Sequence, residues 1–409
     1  MAGVNSTNTG LALTNYLDDI SETLNHKAVG RLLCKKEEEW RGTHLEWRVH
    51  VGRNSAISPT DDGGAIPVAD KQDYIAARAY RRMAVGAIQI TDGAMAACKK
   101  SKAVARDVVE SEIKGVMRDF LKFDNYFFLR DGTGVCGTVM VNYAGGTPTL
   151  VEVDDARGLW EGATVQLRTV AGVLRGNLVI SSIAEAPDAN GFAQVTVAAG
   201  NVAMIATDIL CWNQATGTNT ITGLQALINT GEALFQNVVV TSFPHYGSLI
   251  MANGNVARDL TPGLFRQMLA GLRQKSGQDR PSVVSVLGSN WDLINVEELY
   301  EGELRLSPGD TSGGLAVASF NSTLGRIDII TDTDAPYGQF EFADFSQIHR
   351  GVQRPLDWRR DGPGGAIFKR SDVATYYTAN VLEVAEYFIK ERHTSGRIED
   401  LNYTPVSMY

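Results

Sequence analysis

Apolar and polar positions change their rhythm several times along the chain, and the longest coherent run lies between Thr91 and Arg130. Ala105, Val108, Val109, Ile113, Val116, Met117, Phe120 and Leu121 recur at steps of three and four, the spacing of one helix face. Lys99, Lys100, Lys102, Arg106, Asp107, Glu110, Lys114 and Arg118 fall largely on the other side. No proline interrupts the run, and Thr91 and Asp92 are both good N-caps. A helix from Ala94 to Phe120 spans roughly 40 Å at about 1.5 Å per residue. That is longer than a compact domain usually needs.

Ahead of this helix the period is two. Leu45, Trp47, Val49 and Val51 face one way, and His44, Glu46, Arg48 and His50 the other. The stretch from Gly52 to Asp70, which includes Arg53, is rich in turn formers, among them Pro59, Asp61, Asp62, Gly63 and Gly64. From Asp73 to Ile90 a second extended arm returns, with Tyr74, Ala76, Arg78, Tyr80 and Arg82 alternating with apolar or small residues. The two arms predict a long hairpin, and an isolated hairpin is marginally stable. It packs either on the rest of the chain or on another copy. The expectation is another copy: Trp47, Val49 and Val51 against a neighbour, with Asp61, Asp62 and Lys71 pairing with charges there. The stretch before the hairpin, Met1 to Trp40, has apolar positions (Leu11, Leu13, Tyr16, Ile20, Leu24) too sparse for a core of its own. It is expected to be held by a neighbouring subunit.

After the helix, Asp131 to Gly137 is a turn cluster, and short β-like runs separated by glycines follow. These are Thr149–Val153, Thr164–Val170, Asn177–Ile183, Ala193–Ala198 and Ile209–Trp212, a texture that suits a small closed barrel. From Ile221 the pattern is mixed. Helices are expected at Leu224–Leu234, after the Thr261-Pro262 cap (with Leu264, Phe265, Met268, Leu269 and Leu272 inward), and at Asn290–Leu299. Strands are expected at Ser248–Met251, Val283–Leu287, Leu315–Phe320 and Arg326–Thr331. Thr375 to Ile389 is too aromatic and β-branched for a surface helix.

The chain has 409 residues, 44% hydrophobic and 21% charged, so it is globular with room for two or three compact units. Its formal charge of −9 argues against a surface that grips phosphate backbones broadly. Met1 to Thr9 lacks the apolar segment of a signal peptide, and no apolar run is long enough to cross a membrane. Cys34, Cys98, Cys136 and Cys211 form no C-x-x-C pair and are expected reduced and buried, in a protein made in a cytoplasm.

Candidate chemistry is thin. Gly132-Thr133-Gly134-Val135-Cys136-Gly137 matches G-x-G-x-x-G, but a dinucleotide site needs a strand before it and a helix after it, and here the order is reversed. Asp332, Asp334 and Asp344 hint at calcium, yet Pro336 stands where a further ligand belongs. The six histidines have no metal-ligand spacing on one helix face, and no G-x-S-x-G or phosphate loop occurs. Arg350, Arg354, Arg359, Arg360, Lys369 and Arg370 read as a solvated or intersubunit face. No catalytic, cofactor or metal constellation is predicted.

Polar arm, long hairpin, long helix, inserted β-domain, α/β domain and β-rich return: this order resembles the major capsid proteins of tailed double-stranded DNA phages. Their fold is the α+β Hong Kong 97 capsid fold. The resemblance implies an N-arm at 1–40, an E-loop hairpin at 41–90, and a spine helix with the start of the P-domain at 91–136. An inserted β-barrel-like domain follows at 137–214, then an A-domain at 215–336 and a return to the P-domain at 337–409. It implies a non-enzymatic shell protein, made in the host bacterial cytoplasm, that assembles as pentamers and hexamers into an icosahedral virion capsid. That shell encloses double-stranded DNA without sequence-specific binding and without a membrane, with scaffolding, portal and cement proteins as further partners. Intersubunit assembly falls to Trp47, Arg48, Val49, Val51, Arg53, Asp61, Asp62, Lys71, Arg78, Tyr80 and Arg82. Lys71 is the only lysine near the hairpin, so the covalent cross-linking of one branch of the family is not carried over. The rival readings are an encapsulin-like cargo shell, a phage tail or adhesin component, and an α/β enzyme with a β-barrel insertion.

Overall fold

The structure is a computed structural model that describes residues 29–37, 40–62, 64–93, 104–143, 149–184, 192–198, 202–212, 220–277, 285–300, 318–322, 325–360, 367–370 and 375–402. Most of the polar N-terminal stretch, the first part of the predicted long helix, Cys98 and residues 301–317 lie outside them.

A short helix α1 (Val29–Leu33) and strand β1 (Lys35–Glu37) precede the hairpin. The hairpin is β2 (His44–Gly52) paired antiparallel with β3 (Asp73–Tyr80), from His44 opposite Tyr80 to Gly52 opposite Asp73. The return arm, expected as one extended stretch, is divided at Arg81. Beyond it, β4 (Arg82–Thr91) leaves the hairpin and pairs with β18 (Tyr376–Ile389) over its whole length. Thr91, expected as a helix cap, therefore ends this strand opposite Tyr376. The long helix α2 runs from Val104 to Leu129, about 39 Å for its 26 residues. Its side chains are described for Glu112 and from Lys114 onward.

Strand β18 is the spine of the first sheet. One edge pairs with β4; the other pairs with β16 (Ile348–Trp358) and β17 (Lys369–Arg370), and β1 adds in parallel to β16. Helix α2 lies across one face of this sheet. Gly86 permits the close approach: a Cβ there would sit 2.8 Å from Val381 and 3.2 Å from Val116. The last turns of α2 are aromatic. Tyr126, Phe127, Phe128 and Leu129 are all buried, and Phe128 packs on Tyr387 with ring centroids 4.4 Å apart.

From Val135 the chain enters a six-stranded unit: β5 (Val135–Thr138), β6 (Leu150–Val153), β7 (Thr164–Arg168), β8 (Leu174–Ile183), β9 (Ala193–Val197) and β10 (Ile209–Trp212). Their order is β5-β10-β7-β8-β9-β6, and an antiparallel bridge between Val139 and Val153 joins the two outer strands. The unit is a closed barrel, filled by Val151, Val153, Val165, Leu167, Leu178, Ile180, Val195 and Leu210.

The mixed region builds a second open sheet. It comprises β11 (Leu249–Met251), β12 (Ser285–Gly288), β13 (Ala318–Ser322), β14 (Gly325–Thr331), β15 (Phe340–Ala343) and β19 (Gly396–Ile398), in the order β11-β19-β15-β12-β14-β13. The helix expected from Leu224 to Leu234 is only α3 (Leu224–Leu227). Asn229 caps the next backbone amide with its own side chain, and Gly231 takes φ +82, so the chain turns instead. Helix α4 (Pro262–Ser276) starts as expected: Thr261 accepts a hydrogen bond from Leu264 N, and Phe265, Met268, Leu269 and Leu272 are buried on the sheet. Helix α5 (Asn290–Tyr300) contributes Val296 and the half-buried Leu293 to the same core.

Candidate functional site

Three features draw attention: the hairpin, the polar hub beneath it and the root of the barrel. The first is where the sequence places intermolecular contact. The alternation of β2 is realised, with Val49 and Val51 buried and Glu46, Arg48 and His50 exposed. What covers the apolar face corrects the expectation. Val49, Val51 and Ala77 belong to one core with Phe128, Leu129, Tyr387 and Ile389, and Trp47 packs on Phe388 at 4.8 Å between ring centroids. The chain's own body buries the stalk, because β3 is pinned to the turn at Gln236–Asn237. Arg78 N donates to Gln236 O at 2.8 Å, and Asn237 Nδ2 donates to Ala76 O at 3.0 Å.

The other predicted contact residues divide in two. Arg78 is held by Glu46 at 2.8 Å, Tyr80 lies against His44, and Arg82 pairs with Glu386, so each of these has a partner within the subunit. Arg48, Arg53, Asp61, Asp62 and Lys71 are exposed. Between the arms, Asp70 closes the loop by accepting from Ser55 N and Oγ. Beyond that closure stand Ile57, Ile66 and Val68, 87%, 88% and 88% exposed. The alternation rule does not find them, since they lie in the turn-rich loop rather than on a strand. Their signal is isolated β-branched residues beside Pro59 and Pro67.

Under the hairpin, Asp124 and Asn125 of α2 form a buried polar hub. Tyr387 Oη donates to Asp124 Oδ2 at 3.2 Å, Asn125 Nδ2 donates to Asp332 and Asp334 at 3.1 and 3.2 Å, and Gly30 N donates to Asn125 Oδ1. Burial pushes Asp332 up to about 6. Arg350, read from sequence as part of a solvated or intersubunit face, and its neighbour His349 are only 4% exposed. Arg350 is drawn inward by Glu383 and Asp124, while His349 stacks on Phe388. Arg354, Arg359, Arg360, Lys369 and Arg370 do keep at least partial solvent access, and Arg370 reaches Asp92.

Asp155 anchors the barrel to the body. Its carboxylate is held by Arg130 at the end of α2 and by Arg157, which also donates to Thr333 O and Ala335 O at 2.9 and 2.7 Å and lies over the Tyr337 ring. Burial raises the Asp155 carboxyl, but the two guanidiniums overcome this and hold it well below the usual carboxylate range.

The remaining motifs resolve as structure. Gly132 and Gly134 have φ of +78 and +81, and Asp131 accepts from Thr133 N and Oγ1, so the glycine-rich run is a tight turn into β5. Asp332 and Asp334 share Asn125, whereas Asp344 caps Ser346. Among the described residues no group of three His, Cys, Asp or Glu is placed to hold a metal. No described helix is long and apolar enough to cross a membrane. A shallow cleft of about 340 Å³ is lined by Asp131, Glu232 and Arg397, and the latter two are committed to Arg392 and to Glu341 and Glu399.

No family model matches the chain, and no curated protein matches its sequence. Solved structures do. A chain of the Cyanophage A-1(L) capsid asymmetric unit superposes with a TM-score of 0.60 at 11% identity, covering 95% of this chain and 97% of that one. The capsid of a native GTA particle gives a TM-score of 0.53 at 8% identity, over 97% and 98% of the two chains. The capsid of an empty GTA particle gives 0.51 at 9% identity, over 94% and 100%. At these identities the likeness concerns the fold: this chain has, nearly end to end, the mixed helix-and-sheet fold of phage-type capsid subunits.

Proposed function

We propose that this chain is the major capsid protein of a tailed double-stranded DNA phage. In this reading it self-associates as pentamers and hexamers into an icosahedral shell, with the genome inside. The observation that carries it is the end-to-end fold correspondence with capsid subunits, which leaves almost no part of either chain unmatched. In this reading β2 and β3 with their loop are the E-loop, α2 is the spine helix, the α2–β4–β18–β16 layer is the P-domain, the barrel is the insertion, and the second open sheet is the A-domain, to which β15 and β19 add residues from the stretch 337–409 expected wholly in the P-domain.

The hairpin supports the reading physically. Its base is fixed to the body, whereas its tip presents Ile57, Ile66 and Val68 to solvent, a placement that gains only when another surface covers them. Burying each aliphatic side chain contributes about 1.5–3 kcal/mol. A matching apolar surface lies on the face of the first sheet opposite α2, where Met83 and Val85 stand across from Val384 and Leu382. The exposed Arg48, Arg53, Asp61, Asp62 and Lys71 would then ring the contact. The net charge of −9 suits a shell that contains DNA without gripping it.

Electron microscopy of the purified chain tests this, with closed shells expected. The triple variant Ile57→Ser, Ile66→Ser, Val68→Ser should change subunit stability by no more than about 0.5 kcal/mol per site, yet yield free subunits or capsomers on a sizing column. Normal shells from that variant would remove the hairpin tip from the assembly contact. Tubes or monomers from the unsubstituted chain would remove the shell.

A further inference from the structure

The barrel has two unlike ends. The chain enters at Val135 and leaves at Trp212 at one end, where Asp155, Arg157 and Leu159 fasten it to the body. Among the described residues, the opposite end carries 139–143 after β5, the β7–β8 turn, and 202–208 before β10. Six aliphatic or thioether side chains stand exposed there: Met140 36%, Val141 37%, Val170 70%, Val173 63%, Leu174 49% and Ile205 48%.

The loops that carry them are fixed by hydrogen bonds and packing. Ala206 N donates to Asn142 Oδ1 at 2.7 Å and Tyr143 N to Met204 O at 2.9 Å, which sets Ile205 beside Val141. Val202 packs where a Cβ on Gly176 would be, 2.7 Å away, so the same connection lies along the start of β8. The β7–β8 turn is locked by Thr169 and Val173: Thr169 N donates to Val173 O, Val173 N donates to Thr169 Oγ1, and Gly172 takes φ +83. A fixed tip loses little conformational entropy on contact.

Charge indicates what covers it. Segments 140–149, 168–175 and 198–208 hold only three charged residues, Arg168, Arg175 and Asp208. Arg175 pairs with Asp208 at 2.8 Å, and Arg168 is engaged by Gln166 Oε1 and Gly172 O. Copies of a chain with net charge −9 repel one another over most of their surface. This end is apolar and close to neutral, as interface cores are, so two copies can meet here without that penalty. We propose that the free end of the barrel is a contact between two copies of this chain, made by the same patch on each across a twofold axis. The inference requires self-association but not a closed shell.

The test uses the full-length chain with Val173→Cys, and with Val256→Cys as an exposed control on the body (63% exposed). Both are oxidised with copper–phenanthroline at the concentration where the unsubstituted chain assembles. Cross-linked dimers of the Val173→Cys chain should form at least about tenfold faster than those of the control, since a standing contact raises the local thiol concentration. Adding Val170→Asp should abolish that advantage while leaving thermal unfolding unchanged. If the thiol of the Val173→Cys chain labels freely with a maleimide but cross-links no faster than the control, the copy–copy contact is overturned. If shells form normally in that case, the shell reading survives it. If the Val173→Cys chain cross-links at the faster rate yet makes no shells, the contact stands and the shell reading falls.

Discussion

Glu386 Oε2 accepts from Arg82 Nε at 3.2 Å, and this pair joins the first residue of β4 to β18, three residues before its end, at the root of the hairpin. The other carboxylate oxygen of Glu386 accepts from Thr222 N and Tyr387 N, so one buried group ties three parts of the chain together. Burial nevertheless outweighs these partners and pushes its pKa from the ordinary 4.5 up to about 7.

The sign of the pH effect follows. A raised carboxyl pKa means the folded chain holds its proton longer than the unfolded chain. This contribution is fully present below pH 4.5 and is lost as pH rises through 7. Each unit of the rise corresponds to about 1.4 kcal/mol. Glu386→Gln imitates the protonated form and keeps one acceptor for the two backbone amides. It should flatten the fall in thermal stability between about pH 5 and 8. Glu341, raised to about 7 by burial despite Arg397, should leave a smaller slope of the same sign. Identical pH slopes in variant and parent would refute the assignment.

The end of α2 is the densest part of the core. Phe128→Ala removes a fully buried ring that packs on Tyr387, and should cost about 3–5 kcal/mol in denaturant unfolding. Lys114→Ala, on the exposed side of the same helix, should cost about 0.5 kcal/mol or less. Similar losses from both would mean the helix face is misassigned.

At the barrel root, Arg157→Ala would remove the donor to the carbonyls of Thr333 and Ala335 and leave Arg130 as the one guanidinium on Asp155, beside the backbone N–H of residue 157. A cost of about 1–3 kcal/mol for the Ala335 acceptor, with Thr333 O left to water, should appear as faster amide exchange in 332–337, with the barrel strands still protected. Because Asp155 is held below its ordinary 3.8, its contribution is present at neutral pH and is lost only as pH falls below that value. Uniform exchange across the chain would show the barrel has no independent footing.

The elements that periodicity determines are largely legible. The long helix, expected to end at Phe120 and running on to Leu129, five of the six barrel strands and the Thr261-Pro262 cap carry their signal locally, whereas β5 (Val135–Thr138) is hidden in what reads as a turn cluster. What covers an apolar face is not local. Trp47, Val49 and Val51 alternate identically whether a neighbour or Phe388 lies opposite, so the sequence reading assigns them to the wrong partner. Arg350 and His349 turn inward for a related reason: what they meet, Glu383 for Arg350 and the Phe388 ring for His349, is remote in sequence. The exposed apolar residues, Ile57, Ile66 and Val68 at the hairpin and Val170 and Val173 at the barrel, sit in loops where period has no meaning. Only their exposure in the fold identifies them.

The barrel itself permits the most direct test of independence. Its closure, by the Val139–Val153 bridge with Met140 N donating to Glu152 O and Asp154 N to Thr138 O, leaves no open edge strand. Its interior is supplied almost wholly by its own strands, with Phe123, Tyr126, Phe127 and Ile221 the outside contributors at the root. A fragment spanning 133–214 should therefore fold alone, giving a β-type circular dichroism spectrum and a cooperative thermal transition. Exposure of the root should weaken it, and Trp160 and Trp212, with tilted rings whose centroids lie 3.9 Å apart there, provide a fluorescence probe of that end. Val165→Asp, which buries an unpaired carboxylate where the structure is fully closed, should abolish the transition, whereas Val170→Asp should not. A random-coil spectrum from the unsubstituted fragment would show that the barrel is held together by the body rather than by its own closure.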